Sequence, residues 1–294
     1  MVKLLYLYLH MKKYKNAFIK SVLFIFLVGL CVACQCDKAS SLVILHTNDT
    51  RSQIEPIERG KRDGNCAGYA RRMGLIKQYR DSNPDIILLD AGDFSQGTPY
   101  FNFYHGRVEV DAFNRMRYDA VALGNHEFDY GVDTLAAVLK YAQFDVLCAN
   151  YDVKGTPLEG IVKPYTILRK GGYRVGVFGL GVNPKGLIAD RNFAPVKYMN
   201  PIPVAQEVAS LLKQKHRCDV VICISHMGTF ESEKQMSDTQ LAKSTNNIDV
   251  IIGAHTHKIV TNHYVQNVDG DSVFLSQMGK SGARLGKITL KMHK

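Results

Sequence analysis

The feature that most constrains this chain is a set of short, β-branched apolar runs, most of them apolar at successive positions. The expected strands are Leu42–His46, Ile86–Ala91, Ala120–Leu123, Val146–Cys148, Tyr173–Leu180, Val220–Ser225, Val250–Gly253, Ser272–Leu275 and Gly286–Met292. A strand apolar on both faces belongs in a sheet covered on both sides. Helical patterns alternate with these runs, over Gly68–Tyr79, Val108–Met116, Thr134–Ala142, Val204–Lys215 and Lys234–Thr245. Strands alternating with helices predict a layered α/β domain. Gly155–Glu159 and Asn183–Pro203 read as loops, the second rich in Pro and Asn. No internal repeat, low-complexity tract or long linker divides the sequence.

Composition sets the class. The 294 residues are 46% hydrophobic and 22% charged, which excludes a disordered chain and fits one large α/β domain or two small ones. Seven Cys are too few for a disulfide scaffold. Cys148 and Cys223 lie in apolar runs and are expected to be buried thiols. The formal charge is +10, but Lys3, Lys12, Lys13, Lys15 and Lys20 supply half of it before residue 34, where no Asp or Glu occurs. The remaining +5 makes a mildly basic surface and does not argue for a nucleic-acid partner.

Those lysines belong to an export signal, residues 1–33. Met11-Lys12-Lys13-Tyr14-Lys15 opens it, and Met11 reads as a better start than Met1. An apolar run from Val22 to Ala33 follows. As a helix it would rise only about 18 Å, too short for a hydrocarbon core of about 30 Å. Cys31-Val32-Ala33-Cys34 resembles a bacterial lipobox with Cys31 in place of the usual Leu. On that pattern Cys34 carries lipid, residues 34–294 form the mature chain, and the protein is exported and anchored to a membrane, facing the periplasm or the surface. The alternative is plain cleavage and secretion.

Polar residues able to bind metal stand just past the strand ends. They are Asn48-Asp49, Gly92-Asp93, the Gly124-Asn125-His126-Glu127-Phe128-Asp129 stretch, His226, and His255 with His257. Ligands bind at the carboxyl ends of strands in α/β sheets. One such Asp is usually a turn residue or cap, and a lone His is usually structural. His46, His105, His216, His263 and His293 fit that plain reading. His255 and His257, two apart in extended chain, can face one site together. Five strands delivering Asp, Asn and His to one edge is hard to explain by packing.

These stretches resemble the metallophosphatase domain of the 5′-nucleotidase family, within the calcineurin-like metallophosphoesterases. The matching residues are Ile44–Asp49, Leu89–Pro99, Ala122–Gly131, Ser225–Gly228 and Gly253–His257, within a match that runs from about Leu42 to Leu290. The resemblance implies a four-layer αββα sandwich, two mixed sheets flanked by helices. It implies two divalent ions, Mn, Zn, Fe or Mg, between the sheets. Asp93 would bridge them, Asp49 and His257 would hold the first, and Asn125, His226 and His255 the second. A water activated on the pair would hydrolyse a phosphomonoester, most plausibly a nucleotide. Asn125 and His126 would contact the phosphate. His126 would protonate the leaving oxygen, oriented by Asp129.

Two departures qualify that picture. Where the family has Asp-x-His, this chain has Asp49-Thr50-Arg51, and Arg cannot ligate a metal. A weak first site, a one-metal site and an inactive metal- or nucleotide-binding lipoprotein all remain open. An inward Arg51 is expected to swing to solvent or pair with Asp49, and Gln53 is the substitute ligand considered. Second, the sequence ends at Lys294, where family nucleotidases continue into a base-recognition domain. A separate polypeptide is expected to supply it, or the substrate is chosen less strictly. A cyclic nucleotide or nucleotide-sugar is a further candidate substrate.

Overall fold

The computed structural model describes residues 40–229 and 236–292. The expected export segment and Cys34 lie outside them. Two six-stranded sheets make up the middle of the domain. In the first, β1 (Ser41–Thr47), β2 (Ile87–Asp90), β3 (Ala120–Ala122), β4 (Asp145–Leu147) and β6 (Val162–Lys163) are parallel. β14 (Gly286–Lys291) closes the other edge antiparallel to β1. In the second, β8 (Tyr173–Leu180), β10 (Val220–Ser225), β11 (Val250–Gly253) and β13 (Ser272–Met278) are parallel. β7 (Tyr165–Lys170) and β12 (Ile259–Gln266) pair antiparallel at its edges. A two-stranded ribbon joins β5 (Tyr151–Asp152) to β9 (Lys197–Tyr198).

The period of two along each strand separates three cores. Ile44, Ile87, Leu89 and Ala122 meet Val175, Val177, Ile222, Ile224 and Ile252 between the sheets. Leu45, Leu88 and Val121 point the other way. They pack on Ile76 of α1 (Tyr69–Ser82), Phe113 of α3 (Arg107–Met116) and Leu135 of α4 (Gly131–Leu139). Val221, Cys223 and Ile251 pack on Val208 of α6 (Pro201–Ser210) and Leu241 of α7 (Asp238–Ser244). These are the four αββα layers. Each fully buried Leu or Ile contributes roughly 1.5–3 kcal/mol of transfer free energy, so both faces of a central strand select for apolar residues.

Several boundaries differ from the sequence reading. The segment Asn183–Pro203 is not all loop. It holds α5 (Asp190–Phe193) and β9, and α6 starts at Pro201, where the Asn200 side chain accepts from the Ile202 N–H. The helix expected to run to Lys215 keeps its regular turns only to Ser210. Residues 211–215 then widen, with the His216 N–H bonded to the Leu211 carbonyl. In the helix expected over Lys234–Thr245, Ser237 caps a turn that begins at Asp238, and Lys234 lies outside the described residues. α2 (Pro99–Tyr104), β7 and β12 were not expected. Among the described residues no helix is long and apolar enough to cross a membrane.

Cys148 and Cys223 are buried free thiols, and burial pushes Cys148 up to about 12 and Cys223 well above its ordinary value. His46, on β1, is fully buried, with Nε2 3.0 Å from the Ser276 hydroxyl. Burial pushes its pKa from 6.5 down to about 4. The unfolded chain therefore takes up this proton at higher pH than the folded one. Stability from His46 is complete above pH 6.5 and is lost as pH falls towards about 4. The loss is of order 3 kcal/mol. Urea unfolding of the metal-free chain at pH 7 and pH 4 should show that much more acid destabilisation in wild type than in His46→Gln. Equal pH slopes would refute it.

Candidate metal centre

The chain past β1 runs beside the chain past β2. Ala91 N–H bonds Thr47 O, Asp49 N–H bonds Gly92 O, Arg51 N–H bonds Asp93 O and Ser52 N–H bonds Phe94 O. This zipper places Asp49 and Asp93 side by side, both fully buried. The second sheet meets them through His226, whose Nδ1 lies 2.8 Å from the Ala91 carbonyl. Donation to that carbonyl turns Nε2 towards Asp93. Against the cost of burial, the Asp93 charge and hydrogen bond raise the pKa of His226 to about 10, so an ion bound there would displace the proton on Nε2. Glycines permit the close approach. A Cβ on Gly92 would lie 2.6 Å from the Gly124 nitrogen, and one on Gly124 would lie 2.2 Å from Asp93 Oδ1.

Donor atoms of Asp49, Asp93 and His226 lie within 4.8 Å of one another. Asp93 Oδ2 and His226 Nε2 are 3.2 Å apart. With Asn125 Oδ1 and Asp49 Oδ1 they are buried and make no hydrogen bond of normal geometry, and Asp93 Oδ2 is ion-paired with Arg51 and His226. A buried polar atom left unsatisfied costs about 1–3 kcal/mol, so these four together form a cradle that a cation would satisfy. Burial and the neighbouring His226 lower the pKa of His255 to about 4, leaving it neutral and able to ligate. Its ring centroid is 5.3 Å from that of His226. Carboxylate, imidazole and amide oxygen suit a divalent ion of intermediate hardness.

The Asp49–His257 side differs. His257 Nε2 lies 3.3 Å from Asp49 Oδ1. Arg51 is not in solvent and is not paired with Asp49. Its Nη2 is 3.2 Å from Asp93 Oδ2 and 3.2 Å from His257 Nε2, and its Nη1 donates to Gln96 Oε1 at 2.6 Å. Gln53 turns away and donates to the Glu55 carbonyl. The guanidinium thus stands among the atoms that a first ion would need. A unit charge about 4 Å from a dication costs about 8 kcal/mol at an effective dielectric near 20. The residues present fit one ion at the Asp49–Asp93–His226 cluster, and Arg51 occupies the place beside His257 that a second ion would need.

Backbone strain concentrates here. Asp49 (φ 47°), Arg51 (φ 52°), Asp93 (φ 56°), His255 (φ 68°) and His257 (φ 55°) are all left-handed. That conformation costs a non-glycine residue roughly 1–2 kcal/mol and clusters at functional sites.

Beside the cradle, the His126 N–H donates to Asp93 Oδ1, and its ring Nδ1 lies 3.0 Å from Asp129 Oδ2. Burial opposes charge on this imidazole, but the Asp129 hydrogen bond and the Asp93 charge outweigh it and raise its pKa. All eight residues expected at the site therefore lie at one edge. Sequence reasoning gave no role to Glu127. It is buried, and its carboxylate accepts the N–H groups of Asp93, Ser95 and Gly124. Burial and the Asp93 charge push its pKa up to about 7. Asn48 was likewise passed over. Its side chain donates to Asp49 Oδ2 and the Gly279 carbonyl, and accepts from the Met278 N–H. The available signal was position alone, since both residues lie inside motifs already singled out.

Comparison with known proteins identifies the family of this fold. The family model for calcineurin-like phosphoesterase matches residues 42–259. The snake venom 5′-nucleotidase of Naja atra is 37% identical over 229 residues, 74% of this chain and 41% of that protein. Protein UshA of Yersinia enterocolitica is 30% identical over 242 residues, 79% of this chain and 43% of that protein. The crystal structure of a 5′-nucleotidase precursor from Thermus thermophilus superposes with a TM-score of 0.77 at 32% identity, over 86% of this chain and 52% of that one. The chain thus spans about half or less of the length of these relatives. With the family model matching residues 42–259 and the fold superposing on a 5′-nucleotidase precursor, this chain belongs to the calcineurin-like phosphoesterase family.

Proposed function

We propose that the protein is a divalent-metal-dependent phosphomonoesterase acting on nucleotides. The observation that carries this reading is the buried, unsatisfied set of Asp93 Oδ2, Asn125 Oδ1 and His226 Nε2 beside the His126–Asp129 pair. The relatives named 5′-nucleotidase support the substrate class. A bound ion would supply Lewis acidity and an activated water. His226 and Asp93 would hold the ion, with Asn125 and His255. Asn125 and His126 take the phosphate. Asp129 fixes His126 Nδ1, so that Nε2 can pass its proton to the leaving oxygen. The two-ion arrangement would also use Asp49 and His257, and it requires Arg51 to vacate its place between Asp93 and His257.

The test strips the whole chain of metal and reloads it with Mn, Zn, Fe(II) or Mg. Phosphate release is then measured from nucleoside monophosphates, p-nitrophenyl phosphate, cyclic nucleotides and nucleotide-sugars. Metal-dependent turnover of a nucleoside monophosphate is the expected result. No turnover of any ester with any metal would sink the reading and favour a binding lipoprotein, the alternative that Arg51 supports. Export with lipid on Cys34, and a second polypeptide recognising the base, belong to the same proposal. Cys34→Ser should release the protein from the membrane fraction, and unchanged partitioning would argue for simple secretion.

A further inference from the structure

Arg51 is turned into the site, with its Nε buried and unpartnered. Its guanidinium touches three partners, Gln96 Oε1, His257 Nε2 and Asp93 Oδ2, and its side chain is only 16% exposed. Its backbone is left-handed and bonded to Asp93 O. Asp49 is engaged through one oxygen only, its Oδ1 being buried and unpartnered 3.3 Å from His257 Nε2. Its Oδ2 accepts from the Asn48 side chain and from the His255 N–H. Asp93 Oδ2 lies 3.2 Å from Arg51 on one side and 3.2 Å from His226 Nε2 on the other. One carboxylate therefore links a fixed cation to the cradle of unsatisfied donors.

We infer that the Arg51 guanidinium takes the place of one cation, so that the site holds a single divalent ion on Asp93, Asn125, His226 and His255, with Arg51 as a built-in second positive charge facing the phosphate. The single-ion part rests on the Asp49–Asp93–His226 cluster and on the place Arg51 takes beside it, with Asn125 and His255 assigned to the ion by the phosphoesterase reading. The phosphate contact rests on the phosphoesterase reading. A guanidinium suits that task because it stays charged at every working pH and presents parallel N–H donors to phosphate oxygens. It also makes one positive charge independent of metal supply. His257, whose Nε2 accepts from Arg51, becomes a positioning residue for the guanidinium instead of a metal ligand.

The experiment is Mn²⁺ binding to the whole chain without substrate, read by equilibrium dialysis and by EPR. Wild type should bind one Mn²⁺ with the spectrum of an isolated ion. Arg51→His should bind a second, spin-coupled to the first. Two tightly held ions in wild type, or no second ion in a folded Arg51→His, would overturn the inference. If Arg51→His fails to fold, His257→Ala decides. It should leave the single-ion affinity within about threefold, since no ligand is lost, and a loss of tenfold or more would overturn the assignment. Inorganic phosphate is the probe for the second part. Arg51→Gln in the Mn-loaded protein should weaken phosphate binding about 10- to 100-fold, the scale of a charge-assisted hydrogen bond. Unchanged phosphate affinity would overturn the phosphate contact. Because ion counting needs no turnover, a protein that binds one Mn²⁺ yet hydrolyses nothing would sink the proposed activity and leave the single-ion assignment standing.

Discussion

Replacing His126 by Ala should lower kcat on a nucleoside monophosphate about 10²–10⁴-fold, the usual cost of losing a general acid. Metal content should stay near wild type, because only the His126 backbone N–H, which the substitution keeps, touches a carboxylate of the cradle. Asp129 is placed to hold the proton on Nδ1, 3.0 Å from its Oδ2. The raised His126 pKa keeps the acid form more populated near neutral pH than in a free imidazole. The size of the loss should depend on the leaving group. Departing nucleoside alkoxide needs the proton, whereas p-nitrophenolate needs it far less. Comparing kcat on both substrates, together with metal analysis, therefore separates a lost acid from a damaged site. Equal losses on the two esters, or wild-type turnover of the nucleotide, would show that His126 is not the acid.

The central strands were legible in the sequence because each has two buried faces. β2, β10 and β11 are buried at every position, so their apolar runs carry no interruption. β7 and β12 escaped because, at the sheet edge, neither carries a clean apolar pattern. Tyr165–Lys170 is mostly half-buried, and Ile259–Gln266 alternates irregularly and shifts register between Val260 and His263. The short helix Pro99–Tyr104 has six residues and buries only Phe101, too little for a period to show. At the site, the residues with side-chain chemistry announced themselves by type and position. The direction of Arg51 could not be read, because Gln96 and His257, which hold it inward, are distant in sequence. Glu127 was invisible for a related reason. Its partners are backbone N–H groups, which every sequence supplies and none advertises.

That same dependence on backbone makes Glu127 the residue whose loss should most damage the site's framework. Oε2 accepts from Asp93 N at 3.0 Å and from Gly124 N at 2.6 Å, and Oε1 accepts from Ser95 N at 3.0 Å. The strand-end loops after β2 and β3 are thus tied to one carboxylate. Truncation to Ala would leave three buried N–H groups without an acceptor and open a cavity where no solvent reaches. At about 1–3 kcal/mol for each unsatisfied group, and allowing for non-additivity, the folded state should lose about 3–6 kcal/mol. That is a large share of a typical stability of about 5–15 kcal/mol. Glu127→Gln should lose less, because its amide oxygen still accepts while its NH₂ cannot. The ordering alanine, glutamine, wild type should appear in urea midpoints of the metal-free chain. Divalent-ion affinity should fall in the same order, since Asp93 and Asn125 are both positioned by the loops that Glu127 ties. A Glu127→Ala chain with a wild-type midpoint and wild-type metal affinity would mean that water replaces the carboxylate without cost, and the framework role would be wrong.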